Sequence, residues 1–406
     1  MRISQTSAMI AALVLLASVL GGRADSTETA HGQRTTGRSV EAPGCVADGR
    51  LQLCFSSPAD HGGSDPAVVA GINRIFDTAG AGDSLRIAMF RWDIASSADA
   101  LIAAQERGAH VELVVDRDVV TNRVGRNLVR TIENGDPSAL DVVVCRGACL
   151  PWRGSGPAPP SQDINHLKLI LAEISGQQSV TTTSLNLEGR QYVQANSLLQ
   201  MFDASVYAYS LRYFERLRAQ SNLGWDDGDK RQSGAGGSPD IAVYPSRTDL
   251  LISTLRQLRC AKGMNTIDVM HAVIQRYDIR AALGRLQRSG CRVRIVVTRD
   301  LIENWLEAPF TLPGGGKIDL PDRDVKTLVT HDKVYAIHAM WRGKEAYMVV
   351  TGNSNATCGG LLYNDEMMVR LRGKWVWEQY RSHVLRAFRN AHHSRIKLVP
   401  VQARCR

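Results

Sequence analysis

Two stretches of the chain run through the same order of features: "SLRIAMFRWDIASSADALIAAQERGAHVELVVDRD" at 84–118 and "TIDVMHAVIQRYDIRAALGRLQRSGCRVRIVVTRD" at 266–300. Each opens on a short apolar strand and continues with helical apolar spacing. Each then turns at a glycine, Gly108 or Gly290, and ends in a run of apolar residues closed by Arg-Asp. A strand–helix–strand unit whose second strand is apolar at successive positions reads as a βαβ unit, because a parallel strand is covered on both faces. Two such units in one chain point to duplication. They predict an α/β protein of two fused pseudo-repeat halves. The Gly/Ser/Asp-rich stretch at 224–240 reads as the linker, leaving halves at 45–223 and 241–406.

Each half continues into residues that carry chemistry. "INHLKLILAE" holds His166 and Lys168, and "THDKVYAIHAM" holds His331 and Lys333. The period of two in a strand sends each His and its Lys out of one face, where they repel unless an anion lies between them. Taken singly, such a pair also fits a solvated edge strand guarded by a lysine. Here it occurs twice, each time followed by a strand and an Asn-bearing turn. "VTTTSLNLEG" places Ser184 and Asn186 in the first half, and "VVTGNSNATC" places Ser354 and Asn355 in the second. Beyond the turns each half shows another asparagine, Asn196 in "VQANSLL" and Asn364 in "LYNDEMM".

On these residues the chain resembles the phospholipase D superfamily, whose motif H-x-K-x4-D followed by G-S/G-G-x-N occurs twice in bilobal members. The resemblance covers about 45 to 400 and implies that each half is a central mixed β-sheet flanked by helices. It departs at the motif aspartate, which is Glu173 in the first half and His338 in the second, and at the Gly-Ser pair, which becomes Thr183-Ser184 and Gly352-Asn353. The resemblance implies one active site between the halves, with His166 as nucleophile and His331 as acid and base. Lys168 and Lys333 then neutralise phosphoryl charge, Asn186 and Asn355 donate to phosphoryl oxygens, and Ser184, Ser354, Asn196 and Asn364 line the substrate. Glu366 sits where relatives place an acid that orients a catalytic imidazole; read alone, it equally fits a surface charge at a strand start. The first half offers no matching acid after Asn196.

The residue types suit the reaction. A phosphodiester is anionic, so lysines lower the barrier by neutralising charge that builds in the transition state. Histidine, with an ordinary pKa near 6.5, can attack as a neutral imidazole in one copy and donate a proton in the other. The scheme calls for no cofactor and no metal, and the sequence contains no metal-ligand motif or Gly-rich nucleotide loop.

Other features bound where the chain works and on what. Arg2, the apolar run "AMIAALVLLASVL" at 8–20 and the small residues of "GGRADS" read as a signal peptide over 1–24. The run is shorter than the roughly 20 residues a membrane-spanning helix needs. Residues 25–44 read as a polar, disordered tail. Eight cysteines in an exported chain point to disulfides rather than to a zinc site at Cys145 and Cys149. Cys45–Cys54 and Cys145–Cys149 are natural local pairs, and Cys260–Cys291 with Cys358–Cys405 would complete a sequential scheme, though spacing alone does not fix the connectivity. The formal charge of +9 suits anionic partners and is spread along the chain without a polybasic block.

Loops at 149–163 and 301–319 lead towards the two histidines. Their Trp152, Trp305 and Phe310 fit a lipid interface, stacking on nucleic-acid bases, or simple packing of the loops. His271 at a strand end reads as packing or cleft. Met89, Phe90 and Trp92 read as core or cleft wall, and His392 and His393 as solvated residues of a helical C-terminal stretch. The expected protein is a secreted monomeric phospholipase D acting on phospholipid headgroups, with transient membrane-surface contact. The alternatives are an extracellular nuclease acting on nucleic acid and a non-catalytic phosphate- or lipid-binding protein.

Overall fold

Alternating and continuous apolar runs generate two sheets. The computed structural model of the protein describes residues 44–135, 141–150, 163–221, 230–233, 238–261, 266–298, 324–392 and 405. The expected signal peptide, Trp152, Trp305, Phe310, His393 and the second Arg-Asp pair lie outside them. The first half contains β1 (Cys45–Ala47), β2 (Leu51–Ser56), α1 (Ala67–Thr78), β3 (Ser84–Met89), α2 (Ala95–Glu106) and β4 (His110–Asp116). It continues with α3 (Arg123–Gly135), β5 (Val142–Cys145), β6 (Lys168–Ile174), β7 (Gln177–Thr183), β8 (Asn196–Met201) and α4 (Ala204–Arg218). The second contains β9 (Arg231–Ser233), β10 (Asp240–Tyr244), α5 (Leu250–Gln257), β11 (Leu258–Arg259), β12 (Thr266–His271), α6 (Tyr277–Arg288) and β13 (Arg292–Thr298). After these come β14 (Val325–Leu328), β15 (Lys333–Trp341), β16 (Lys344–Gly352), α7 (Cys358–Leu362), β17 (Glu366–Arg372) and α8 (Lys374–Asn390).

The sheets have one topology. The first runs β1-β2-β8-β7-β6-β3-β4-β5, and the second, read from its other edge, β9-β10-β17-β16-β15-β12-β13-β14. The predicted βαβ units supply the parallel pairs β3/β4 and β12/β13. In β6, Leu169 and Leu171 face the core containing α4 and α8, while Ile170 and Ala172 face the core beneath α1–α3. The same division in β15 sends Val334 and Ala336 to the α4/α8 side and Tyr335 and Ile337 to the core beneath α5 and α6. The two sheets therefore share a central layer built from α4 and α8, and residues 41–406 form one compact unit.

All four expected disulfides are present. Gly71 of α1 is required by the first: a Cβ there would lie 2.7 Å from Cys54 Sγ. The linker reading at 224–240 is corrected in part. Residues 231–233 form the edge strand β9, paired with the start of β10 through Asp240↔Ser233, because polar residues serve an edge exposed to water. The helical reading of the C-terminal stretch is also corrected. Helix α8 ends at Asn390, and His392 instead exchanges two 3.0 Å backbone hydrogen bonds with Thr327.

Candidate active site

The two H-x-K motifs meet because each lies at the start of a strand beside a backbone bridge to the other half: Asn165↔Asp365 next to His166, and Ala195↔Thr330 next to His331. His166 is 5% exposed, and Lys168, Lys333 and Glu366 are fully buried. His166 Nδ1 lies 2.9 Å from both carboxylate oxygens of Glu366. His331 Nδ1 donates to the Ser184 carbonyl oxygen at 2.7 Å. The Ser184 carbonyl only accepts, so the His331 proton lies on Nδ1, which Lys333 Nζ also approaches at 3.1 Å. Burial raises Glu366 well above the usual carboxylate range, opposed by Lys168 and Lys333. When ionised, Glu366 places the His166 proton on Nδ1, leaving each Nε2 as the lone pair. Lys168 Nζ donates to the His166 carbonyl at 2.7 Å, and Lys333 Nζ donates to the His331 carbonyl, so each lysine folds back over its own histidine.

The strand registers establish which residues correspond between the halves. Thr183 pairs with Leu198, and Gly352 with Met368. Stepping back two residues aligns Asn196 with Glu366, and Gln194 with Asn364. The sequence match of Asn196 to Asn364 is therefore off by two positions: the first-half counterpart of the orienting acid is Asn196 itself. Its amide is turned inward, accepting from the Ser184 hydroxyl at 2.9 Å and donating to the Gln191 and Gln194 carbonyls. Ser184 and Asn196 thus brace one another, and through the Ser184 carbonyl they brace His331. One histidine faces a carboxylate and the other a neutral carbonyl. Glu366 is not a surface charge.

The remaining expected residues divide the same way. The Ser354 hydroxyl donates to the Gly360 carbonyl at 3.1 Å, fastening the second turn to α7. Gly352, with φ +141°, precedes that turn, and a Cβ there would collide with the Met367 carbonyl. Asn364 Nδ2 reaches Glu366 at 3.4 Å. Asn186 donates to Glu188 at 2.9 Å, and the buried Oδ1 atoms of Asn186 and Asn355 have no partner. Glu173 is paired with Gln178, and His338 donates to Glu345 at 2.9 Å and stacks on Tyr347 at 4.1 Å. Both lie along their strands away from the histidines, and an aromatic stack occupies the second motif-aspartate position.

Phe90 takes the cleft-wall place the sequence offered it, while Arg91 and Asp332 are residues that sequence reasoning passed over. Phe90 forms one wall, with its ring centroid 5.0 Å from the His166 ring and 5.2 Å from Lys168 Nζ. Arg91 lies 4.7 Å over the same ring and pairs with Asp118 at 2.9 Å and Glu188 at 3.4 Å. Asp332, between His331 and Lys333, points to the other face. There it accepts from the Ser197 hydroxyl at 2.7 Å and from His383 Nε2 at 2.9 Å. Its first-half counterpart, Leu167, is an ordinary core residue. His271 is directly opposite Lys333 on the sheet, fully buried, and accepts from the Val273 N–H at 3.3 Å.

Burial, then the neighbouring lysines, hold His166 and His331 well below the usual histidine pKa, so both are neutral before substrate binds. Burial pulls Lys333 down to about 7, opposed by Glu366 and Asp332, and also lowers Lys168. The cluster is short of negative charge. An anion placed among them would supply that charge and stabilise both lysines as cations.

Comparison with known proteins agrees with this architecture. The model of the family described as cardiolipin synthase, PLD-like domain, matches residues 75–218 and 254–388. Polyphosphate kinase from Porphyromonas gingivalis aligns over 83% of this chain and 50% of its own, at 14% identity and TM-score 0.51. This chain thus spans half of that protein's length. Phosphatidylserine synthase from Haemophilus influenzae Rd KW20 aligns over 85% of this chain and 88% of its own, at 9% identity and TM-score 0.56. Nuc from Salmonella typhimurium, a phospholipase D family member, aligns over 42% of this chain and 94% of its own, at 18% identity and TM-score 0.31. None of the curated protein sequences matches.

Proposed function

The chain belongs to the PLD-like family described as cardiolipin synthase, PLD-like domain, and from that premise we propose a phosphodiesterase that cleaves phospholipid headgroups through a phosphohistidine. The observation that carries the reading is the pair of buried imidazoles with bare Nε2 atoms, each with a lysine folded over it. His166 Nε2 attacks phosphorus, forming a P–N bond as the P–O bond to the leaving group breaks. His331, protonated once the substrate anion offsets the lysines, gives the leaving oxygen its proton. It then takes a proton from water, which displaces His166 and leaves a phosphomonoester. The carboxylate of Glu366 on Nδ1 supports the nucleophile assignment: a phosphorylated imidazole carries positive charge, which a carboxylate stabilises and a carbonyl does so less. The asparagines, with Phe90 as a wall, position the phosphoryl group.

The phospholipid assignment is supported by the family description and by the likeness in fold to a phosphatidylserine synthase. Export is part of the reading. Four disulfides suit an oxidising compartment, and among the described residues no helix is long and apolar enough to cross a membrane. The test is a parallel assay on phosphatidylcholine and phosphatidylglycerol vesicles and on single- and double-stranded DNA and RNA, with and without EDTA. Lipid turnover should be retained in chelator, because histidine is the nucleophile and lysines carry the charge. Turnover on nucleic acid alone would replace the lipid reading with a nuclease. Turnover on none would leave a phosphate-binding protein, and loss in EDTA restored by a divalent ion would refute the proposed chemistry.

Lys333 sets an alkaline limit. Its pKa of about 7 in the free protein means that the cation is lost as pH rises through that value. Above it, kcat/KM should fall by about tenfold per pH unit, the slope of one titrating group. Lys333→Met should be slow and lack that limb. A wild-type profile that stays flat through neutral pH would show that Lys333 does not titrate there.

A further inference from the structure

Folding gathers charge that the sequence spreads out. Residues 246–292 hold nine lysines and arginines against three aspartates, a surplus of six out of the chain's formal +9. Much of this surplus belongs to α5 and α6, which lie side by side and parallel. At their N-terminal ends, Asp249 caps α5 through the Leu251 and Ile252 N–H groups and pairs with Arg276, the residue before α6. At their C-terminal ends, Arg285 of α6 donates to the Leu255 carbonyl of α5 at 2.8 Å. Between the helices is a cleft of about 730 Å³, lined by Arg247, Asp249, Arg256, Arg276, Asp278 and Arg285. Its volume falls within the range of small-molecule sites, about 300–1,000 Å³.

The ion pairs of this cleft leave it positive. Asp249 and Asp278 both pair with Arg276. Among the described residues, neither Arg256 nor Arg285 has a carboxylate partner; the Arg285 guanidinium meets only a carbonyl. Arg285 is half-buried, and burial followed by repulsion from Arg259 weakens its hold on its proton. In the first half Ser97 of α2 donates to Asn73 of α1 at 2.6 Å, and Arg107, just after α2, donates to the Phe76 and Ala79 carbonyls at the end of α1 at 2.7 and 3.0 Å. The Arg285 contact therefore has a first-half parallel in Arg107. What sets the second half apart is the cleft that gathers Arg256 and Arg285 without a carboxylate partner among the described residues. Guanidinium is the side chain best matched to phosphate, by bidentate donation and permanent charge.

We propose that the cleft between α5 and α6 is a binding site for a compact, multiply charged phosphate anion of the pyrophosphate class, held by Arg256 and Arg285. It is separate from the catalytic cluster, since it lies on the helical side of the second sheet and shares none of its residues. It is nevertheless joined to the catalytic turn: the Gln275 and Arg276 N–H groups donate to the carbonyl of Ala356, which follows Asn355, at 2.9 and 3.0 Å. The site depends on this geometry and not on the catalytic reading.

Inorganic pyrophosphate is the probe, and the readout is the rate at which phenylglyoxal modifies individual arginines, followed by peptide mass mapping. At ten times its half-saturating concentration, pyrophosphate should slow modification of Arg256 and Arg285 by about tenfold, leaving exposed Arg130 unaffected. The same protection should appear in His166→Ala, which separates this site from catalysis. In calorimetry, Arg256→Gln combined with Arg285→Gln should lose one pyrophosphate per chain while the thermal transition stays cooperative. Unchanged modification of Arg256 and Arg285 would overturn the proposal. So would equal protection of Arg130, which would mean general screening by the anion.

Discussion

Replacing His166 with alanine should abolish turnover, by roughly 10⁴-fold or more, and with it any covalent phosphoryl-enzyme. The attacking nitrogen is gone, and the remaining imidazole rests on a neutral carbonyl, without a carboxylate to stabilise it as a phosphorylated cation. His331→Asn should behave differently towards a p-nitrophenyl phosphodiester, whose leaving group needs no proton. The first step then proceeds while water is no longer activated, so phosphohistidine should accumulate on His166. Peptide mapping under alkaline conditions, where phosphohistidine survives, locates it. A label on His331 in the His166 variant would reverse the roles. Full activity in both variants would remove the paired motif from catalysis.

Glu366→Gln should be the next most damaging change. Glutamine keeps an oxygen that accepts from His166 Nδ1, so the ring orientation survives while the charge is removed. We expect kcat to fall by roughly 10² to 10³, with KM changing far less, because the stabilisation is lost where the imidazole becomes cationic. Glu366 also helps keep Lys168 and Lys333 charged. Its removal should therefore shift the alkaline limit of kcat/KM to lower pH, a readout that a packing role would not produce. Stability should hold, since the substitution replaces a buried charge with a neutral group of similar shape. An unchanged kcat would show that the 2.9 Å contact is not used in the reaction.

Much of this protein is written in short-range pattern. Apolar runs and alternation are properties of neighbouring residues, so the duplicated βαβ units and the shared face of each His and Lys could be read from the sequence. Cysteine spacing leaves the disulfide connectivity open among several pairings, and the structure chooses the sequential one. The burial of Glu366 could not be read that way, because its partner His166 is 200 residues distant. Nor could the register that aligns Asn196 with Glu366. It depends on how β7 meets β8 and β16 meets β17, and two asparagines at similar spacing suggested a different match. The buried links of Asp332 to Ser197 and His383 are likewise invisible locally, since an acid between His331 and Lys333 reads as one more charge on a strand. The same limit hid the arginine cleft: spaced by helical turns along the chain, its cations converge only once α5 and α6 lie parallel. Sequence determined which groups are present and which face of each strand they share. Tertiary structure decided which of them meet, because charge and hydrogen bonding act through space across contacts that no local repeat encodes.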